Sequence, residues 1–315
     1  MIVVAGESLV DLVVRPDGSV AASPGGGPYN AARALGRLGL AVAFLGRLSN
    51  DQFGRILRAR LLEDGVDLRL VRTTDDPTLL AVAEIDDEGA AMYHFHTVGT
   101  AAAGLTAADV PDGLPAVVTA LHVGTLGLVL EPLATTIVGL VEASRPEVLL
   151  MADPNCRPAA IADPAAYRSR LDRLLSRVDV VKVSTDDLAW LEPARDPLAA
   201  SRVLLDRGPA VVLLTDGGGP VRIITSRETV SVAVPSVPVV DTIGAGDSFG
   251  AGFLAAWTTA GRGRGDLADL AAVTRAVQFA VAVGAWTAGR AGADPPTRTE
   301  MADRFPDWER LVNST

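Results

Sequence analysis

The sequence predicts an α/β fold in which helices cover both faces of a mainly parallel sheet, with a second, smaller β-sheet formed near the N-terminus. Three observations carry this. From about residue 120, apolar runs of strand length alternate with helix-length segments, at 120–123, 132–144 and 148–152. Such alternation builds parallel strands joined by crossover helices. Residues 2–5 read IVVA, a β-branched run without polar alternation that suits a central strand buried on both faces. Residues 79–85 and 92–97 alternate around Asp-Asp-Glu-Gly at 86–89, the pattern of a β-hairpin, and 9–14 with 19–22 supply two further strands for a small sheet.

Composition narrows the function before any motif is read. The chain has 315 residues, 49 % hydrophobic and 21 % charged, a balance that supports a buried core and argues against disorder. A net charge of −10 and the lack of a basic stripe exclude phosphate-backbone recognition, so no nucleic-acid partner is expected. Cys156 is the only cysteine, which excludes an internal disulfide and a cysteine-cluster metal site. No basic region precedes the apolar N-terminal residues, and the Ala-rich stretch 270–289 is interrupted by Arg275 and Gln278. A cytoplasmic protein with no membrane partner is therefore expected. Lys182 is the only lysine and no glycine precedes it, so a P-loop is absent; none of His94, His96 and His122 sits in a protein-kinase catalytic loop.

The chemistry concentrates at 241–252, DTIGAGDSFGAG. An apolar run at 237–240 reads as a strand, Gly244 and Gly246 allow a sharp turn, and 248–257 reads as an apolar helix. The amides at the start of that helix lack partners within it, and the helix dipole adds positive potential there, so an anion is attracted. Asp247 has two readings. It caps the helix, or it accepts a proton from a hydroxyl that attacks a phosphoryl group held by the amides of Gly244, Ala245 and Gly246.

Other segments gather at strand ends. Asp11, alone among apolar residues in LVDLVV, is either an edge-strand residue facing water or a carboxylate for sugar hydroxyls. GGGPYNAARALGRL at 25–38 passes from glycines into a helix. DPNCR at 153–157 ends one strand. The strand at 178–183 leads to Ser184, which caps a helix. The strand at 210–215 leads into Asp216–Gly219, either a hairpin turn or a ligand loop. His94 and His96 lie in the second hairpin strand without a third metal ligand, so a single histidine reaching a ligand is preferred to a zinc site.

DTIGAGDSFGAGF and GGxPxNxA resemble the two signatures of the ribokinase-like (PfkB) carbohydrate kinases, and the GE…DL start with DPNxR is most similar to fructokinases. The resemblance implies one ribokinase-like three-layer α/β/α domain over 1–315, with a β lid from about 9–22 and 79–98. It implies an ATP-dependent kinase acting on a primary sugar hydroxyl, most like D-fructose, with 2-keto-3-deoxygluconate, ribose or a nucleoside as alternatives. Asp247 becomes the catalytic base, and Gly244, Ala245 and Gly246 the anion hole. Asp11, Gly26, Gly27, Asn30, His96 and Arg157 become sugar contacts, and Ser184, Thr215, Gly217 and Gly246 nucleotide contacts. Asp187 stands for the family's magnesium-organising Glu, acting through water, with Asp186 beside it. Pro220 and Val281 replace a usual glycine and asparagine. Mg²⁺, K⁺ near 241–246, and a homodimer through the lid are further implications.

Two readings from other classes remain. One is a catalytically silent sugar sensor on the same scaffold. The other takes GAG as a dinucleotide fingerprint, for which Asp266 and Asp269 are loosely placed acidic partners.

Overall fold

The computed structural model describes residues 1–86, 88 and 91–304. The expected turn at 86–89 lies partly outside the described residues. Strands are β1 (Ile2–Ala5), β2 (Leu9–Val14), β3 (Val20–Gly25), β4 (Val42–Ser49), β5 (Val71–Thr74), β6 (Leu79–Ile85), β7 (Ala91–His96), β8 (Ala120–Gly124), β9 (Leu149–Asp153), β10 (Val180–Ser184), β11 (Val211–Thr215), β12 (Val221–Ile224) and β13 (Thr229–Val232). Helices are α1 (Gly27–Arg37), α2 (Gln52–Glu63), α3 (Leu133–Glu142), α4 (Pro164–Leu175), α5 (Thr185–Leu191), α6 (Pro197–Leu205), α7 (Ala245–Thr259), α8 (Leu270–Ala288) and α9 (Arg298–Arg304).

Among the described residues the strands form two sheets. The large one runs β13-β12-β11-β10-β9-β8-β1-β4-β5, and the small one β3-β2-β6-β7. From β5 to β11 every pairing in the large sheet is parallel; β12 pairs antiparallel with both β11 and β13, so it alone is reversed. Alternate residues of each central strand go to opposite faces. Ile2, Val4, Phe44, Met151 and Leu213 pack with residues of α1, α2, α7 and α8. Val3, Ala5, Leu45, Leu150 and Val183 pack with α3, α4, α5 and α6. Three layers follow directly from this period-two division of buried side chains.

Two expectations are corrected. Residues 237–240 do not form a strand. Pro235 and Pro238 remove ladder donors there, Val239 and Val240 are exposed, and the amides of Val240 and Asp241 bond instead to the Ala288 carbonyl at the end of α8. The following helix starts at Ala245 rather than at 248, because Gly244 already supplies the left-handed cap (φ 75°). α8 is long and apolar enough to cross a bilayer, but most of its apolar side chains are buried against α7 and the sheet.

α7 and α8 approach closely at Gly252, where an added Cβ would come within 2.9 Å of Ala280 Cα and 3.1 Å of Val283 Cβ. In Gly252→Ala the gain in helix propensity, about 1 kcal/mol, is opposed by an overpacking cost of about 1–3 kcal/mol. A lower denaturant midpoint with unchanged m-value is expected; a midpoint raised above that of the parent would mean the two helices can separate freely.

Candidate active site

Two helix N-termini meet at the C-terminal ends of the central strands. Gly26 (φ 108°) turns the chain from the small sheet into α1, and Gly244 turns it into α7. They are joined by a bond across 217 residues of sequence: Asn30 Nδ2 donates to Asp247 Oδ2 at 2.9 Å. The open end of α1 is filled from within, since Glu7 Oε1 accepts from the Gly27 amide at 3.1 Å and Glu7 Oε2 from the Gly127 amide at 2.8 Å. In α7 the Ala245 amide turns to the Thr242 carbonyl and the Ser248 amide to that of Gly244. The amides of Gly246 and Asp247 are thus the first-turn donors available to an anion. Ala245, expected among these donors, is engaged elsewhere.

A cleft of about 540 Å³ opens above these termini. Its lining includes Asp11, Gly26, Gly27, Asn30, Arg157, Gly244, Gly246 and Asp247, all singled out from the sequence. Glu7, Thr125, Asn155 and Lys182 also line it, and Tyr93 and Phe95 of the small sheet cover it. Asp11 does not sit on an edge strand: β2 lies between β3 and β6.

Burial dominates the electrostatics. Desolvation pushes Asp247 above the ordinary carboxylate range, opposed by the Asn30 hydrogen bond and the positive charges of Lys182 and Arg157. Glu7 is pushed up to about 7 by burial, against the pull of its own amide and those of Gly127 and Gly27, with the Asp247 charge adding to the rise. Asp11 rises to about 6 by burial, with Arg157 pulling it down and Asp247 pushing it up. Asn30 Oδ1 is buried without a protein partner.

Lys182 lies beneath the α7 terminus. Its Nζ donates to Asp153 Oδ2 at 2.9 Å, both side chains being almost wholly buried. A Cβ on Gly246 would come within 3.0 Å of that Nζ, so glycine there lets the helix terminus settle over the cation. Burial works against the charge of Lys182, but Asp153, Asp187 and Asp247 together hold its pKa above the ordinary value. Asp153 is raised by burial to about 6 despite Lys182. The pair stays ionised on the strength of the lysine, which three carboxylates surround.

The remaining expected residues divide. Ser184 and Thr215 are register partners at the ends of β10 and β11, and Gly217 follows with φ 51°; none of them lines the cleft, although Lys182 on the same strand does. Asp187 is occupied: Oδ2 accepts from the Ser184 amide and hydroxyl, both at 2.8 Å, and Oδ1 from the Cys156 amide at 2.6 Å. Direct metal ligation by this carboxylate does not fit, and among the described residues no cluster of three acidic, histidine or cysteine side chains could hold a metal. His96 is corrected. Strand alternation in β7 turns Tyr93 and Phe95, stacked with centroids 6.5 Å apart, to the cleft. His94 and His96 face the other way and are exposed.

Glu7, Thr125 and Lys182 are not among the expected site residues, whereas Asn155 belongs to the DPNxR segment whose resemblance implies a place near the phosphate-transfer site. For Lys182 the signal was its uniqueness, joined to its position inside an apolar strand.

A parallel sheet of this topology, with a buried carboxylate in the first turn of a helix at its cleft, places the molecule among the ribokinase-like small-molecule kinases. The family model described as pfkB family carbohydrate kinase matches residues 1–300, and the chain belongs to that family of ATP-dependent sugar kinases. It is 36 % identical over 261 residues to a fructokinase of Rhizobium leguminosarum bv. trifolii, covering 81 % of this chain and 79 % of that one. The crystal structure of a fructokinase with bound ATP from Xylella fastidiosa is similar with TM-score 0.88 and 27 % identity, over 97 % of this chain and 98 % of that one. A Vibrio cholerae O395 fructokinase, in fructose, ADP and calcium ion bound form, is similar with TM-score 0.81 and 25 % identity, over 93 % and 94 %.

Lys182→Met leaves the Asp153 carboxyl buried without its cation, a loss of about 3–5 kcal/mol at neutral pH. Without Lys182 the carboxyl pKa, already raised by burial, rises further. The folded variant then binds a proton that the unfolded chain does not, so the deficit shrinks as pH falls from 7 toward 5. Urea titrations across that range, with Lys182→Met/Asp153→Asn expected to recover part of the loss, check this; a pH-independent deficit would point to packing alone.

Proposed function

We propose that the protein transfers the γ-phosphoryl group of ATP to the primary 6-hydroxyl of D-fructose, yielding fructose 6-phosphate. The observation that carries the reading is Asp247, a buried carboxylate with raised pKa, bonded to Asn30 in the first turn of α7. It faces a cleft large enough for a monosaccharide and the terminal phosphates of a nucleotide. The relatives named as fructokinases support the choice of sugar.

In this reading Asp11, Asn30 and the backbone at Gly26 and Gly27 hold the sugar. Arg157 also faces the sugar. Asp247 accepts the proton of the attacking hydroxyl, and its raised pKa brings it nearer the operating pH of a general base. The amides of Gly246 and Asp247, with Lys182 below, stabilise negative charge on the transferred group. Ser184, Thr215 and Gly217 lie along the nucleotide. An apolar slot of about 220 Å³ between Val237, Pro238, Ala285 and Trp286 takes the adenine; Val281, one residue from its wall, is buried and leaves that wall apolar.

Because Asp187 is committed to its cap, Mg²⁺ arriving with the nucleotide would be held by phosphate oxygens and water, the coordination this cation favours, with Asp187 or Asp186 acting only through water. A monovalent cation would sit at the 241–246 turn, which Asp241 fixes by accepting from the Ile243 and Gly292 amides. The small sheet acts as a lid on a single kinase domain, excluding water on closure. Its outer face, with exposed Met92, is the surface proposed for a homodimer. The reading is of a cytoplasmic enzyme.

Coupled ADP release with MgATP and fructose, ribose, 2-keto-3-deoxygluconate or adenosine, with and without potassium, tests the reading. Fast turnover of fructose, reduced by roughly 10²–10⁴-fold in Asp247→Asn, is expected; sugar binding without turnover would favour a sensor. A second expectation concerns pH. The base must be ionised, so kcat/KM falls as pH drops through the raised pKa of Asp247. Since the Asn30 bond pulls that pKa down, Asn30→Leu should move the acid limb of the profile to higher pH, and an unmoved limb would exclude Asp247 as the titrating base.

A further inference from the structure

Asn30 and Arg33 lie one turn apart on α1 and so share a face of that helix. Asn30 reaches Asp247 directly. Arg33 is buried and donates in two directions at once. Its Nε bonds to Asp64 Oδ2 at 2.6 Å, at the end of α2, and its Nη1 bonds to the Ala293 carbonyl at 3.1 Å, across 260 residues of sequence. Arg37, one turn further on, shares Asp64 at 3.4 Å and donates to the Pro295 carbonyl at 2.7 Å. One face of α1 thus holds both the base and residues 293–295, the segment that follows α8.

That segment abuts the entry to α7. A Cβ on Gly244 would come within 2.6 Å of Ala293 Cβ, 3.0 Å of Ala293 Cα and 3.8 Å of Asn30 Nδ2, so the N-cap of α7 is lodged between Ala293 and Asn30. The contacts close on themselves. They run from Asn30 to Asp247, back along the first turn of α7 to Gly244, across to Ala293, and through Arg33 to the helix that carries Asn30. A guanidinium suits the closing link, because its rigid fork serves a carboxylate and a carbonyl in different directions, whereas the compact ammonium of a lysine is a single point of charge. The ion pair with Asp64 alone would be weak evidence for a role, since buried pairs are often replaceable by apolar residues. The bond to the Ala293 carbonyl is the part that reaches the site.

We propose that Arg33 is a positioning residue for phosphoryl transfer: through Ala293 and Gly244 it fixes the first turn of α7, and with it the Asp247 carboxylate and the amides of Gly246 and Asp247. It does not line the cleft, so it acts only through these neighbours. The position of Asp247 is then set from two sides by one helix, directly by Asn30 and indirectly by Arg33. This rests on the kinase reading above and adds to it a residue that neither substrate touches.

The test compares Arg33→Lys, which keeps a charge for Asp64, with Ala293→Gly, which leaves Arg33 and Asp64 in place and removes the Cβ on which Gly244 rests. Each is expected to lower kcat roughly tenfold, within the cost of displacing a base by a fraction of an ångström. The KM for fructose and for ATP should hold, as for contacts that matter only in the transition state. The double variant should be little worse than either single one, because a closed set of contacts already open at one link loses little at the next. Amide hydrogen exchange is read beside turnover. The amides of Ala245 and Ser248, bonded to the Thr242 and Gly244 carbonyls, should exchange faster in both variants while those in the middle of α8 do not change. An inactive parent would count against the kinase reading, and the exchange would still decide this inference. Full kcat in Arg33→Lys, a raised KM without loss of kcat, faster exchange spread evenly over α7 and α8, or an Ala293→Gly variant that behaves as the parent would each overturn the proposal.

Discussion

A carboxylate buried in a protein tends to take up a proton, and the site depends on how Asp247 resists this. Burial raises its pKa, and three features push back: the Asn30 hydrogen bond, the charge of Lys182 and the charge of Arg157. Each comes from a different part of the chain. Asn30 arrives on α1, Lys182 on β10, and Arg157 on the turn after β9. Opposing burial at that carboxylate therefore requires the layers to be assembled correctly, and this ties the chemistry to the fold.

The same convergence explains the glycines. Gly27 has no room for a side chain beside the Thr125 hydroxyl, Gly246 sits over Lys182, and Gly244 packs on Ala293 at a left-handed φ. These contacts bring backbone, rather than side chains, to the cleft floor. A floor of backbone amides can face an anion without rearranging, which is what stabilising charge in a transition state requires. Glu7 has the complementary task. By accepting from the Gly27 and Gly127 amides it fills the α1 terminus, so that of the two positive helix ends only that of α7 is free for an anion.

Much of this was legible because it is local. The glycine turns, the caps at Ser184 and Gly244, and the βα alternation each follow from short runs of residues. What was not legible depends on neighbours remote in sequence. Residues 237–240 have strand composition but no sheet partner, since prolines at 235 and 238 interrupt the donors. The period of β7 could be read, but not which of its faces turns to the cleft, so His96 was expected where Phe95 lies. The left-handed backbone of Thr125 has no compositional signal, because a β-branched residue is among the last expected there, whereas asparagine, as at 155, is enriched in that conformation. Lys182 was visible as the only lysine, whereas its partner Asp153 emerges only from the adjacency of β9 and β10.

Ser184 and Asp187 form one unit. With Ser and Asp the pair closes a capping box, each side chain accepting from the other's amide, while the second Asp187 oxygen takes the Cys156 amide. A carboxylate with both oxygens held by protein donors is a poor direct metal ligand but a good fixed charge. It pins the start of α5 to the turn carrying Cys156 and Arg157, and it is one of the three carboxylates that keep Lys182 protonated. The shortened acid thus acts on the α7 terminus through the lysine, and Ser184 and Asp187 are coupled to Asp247 by a buried cation.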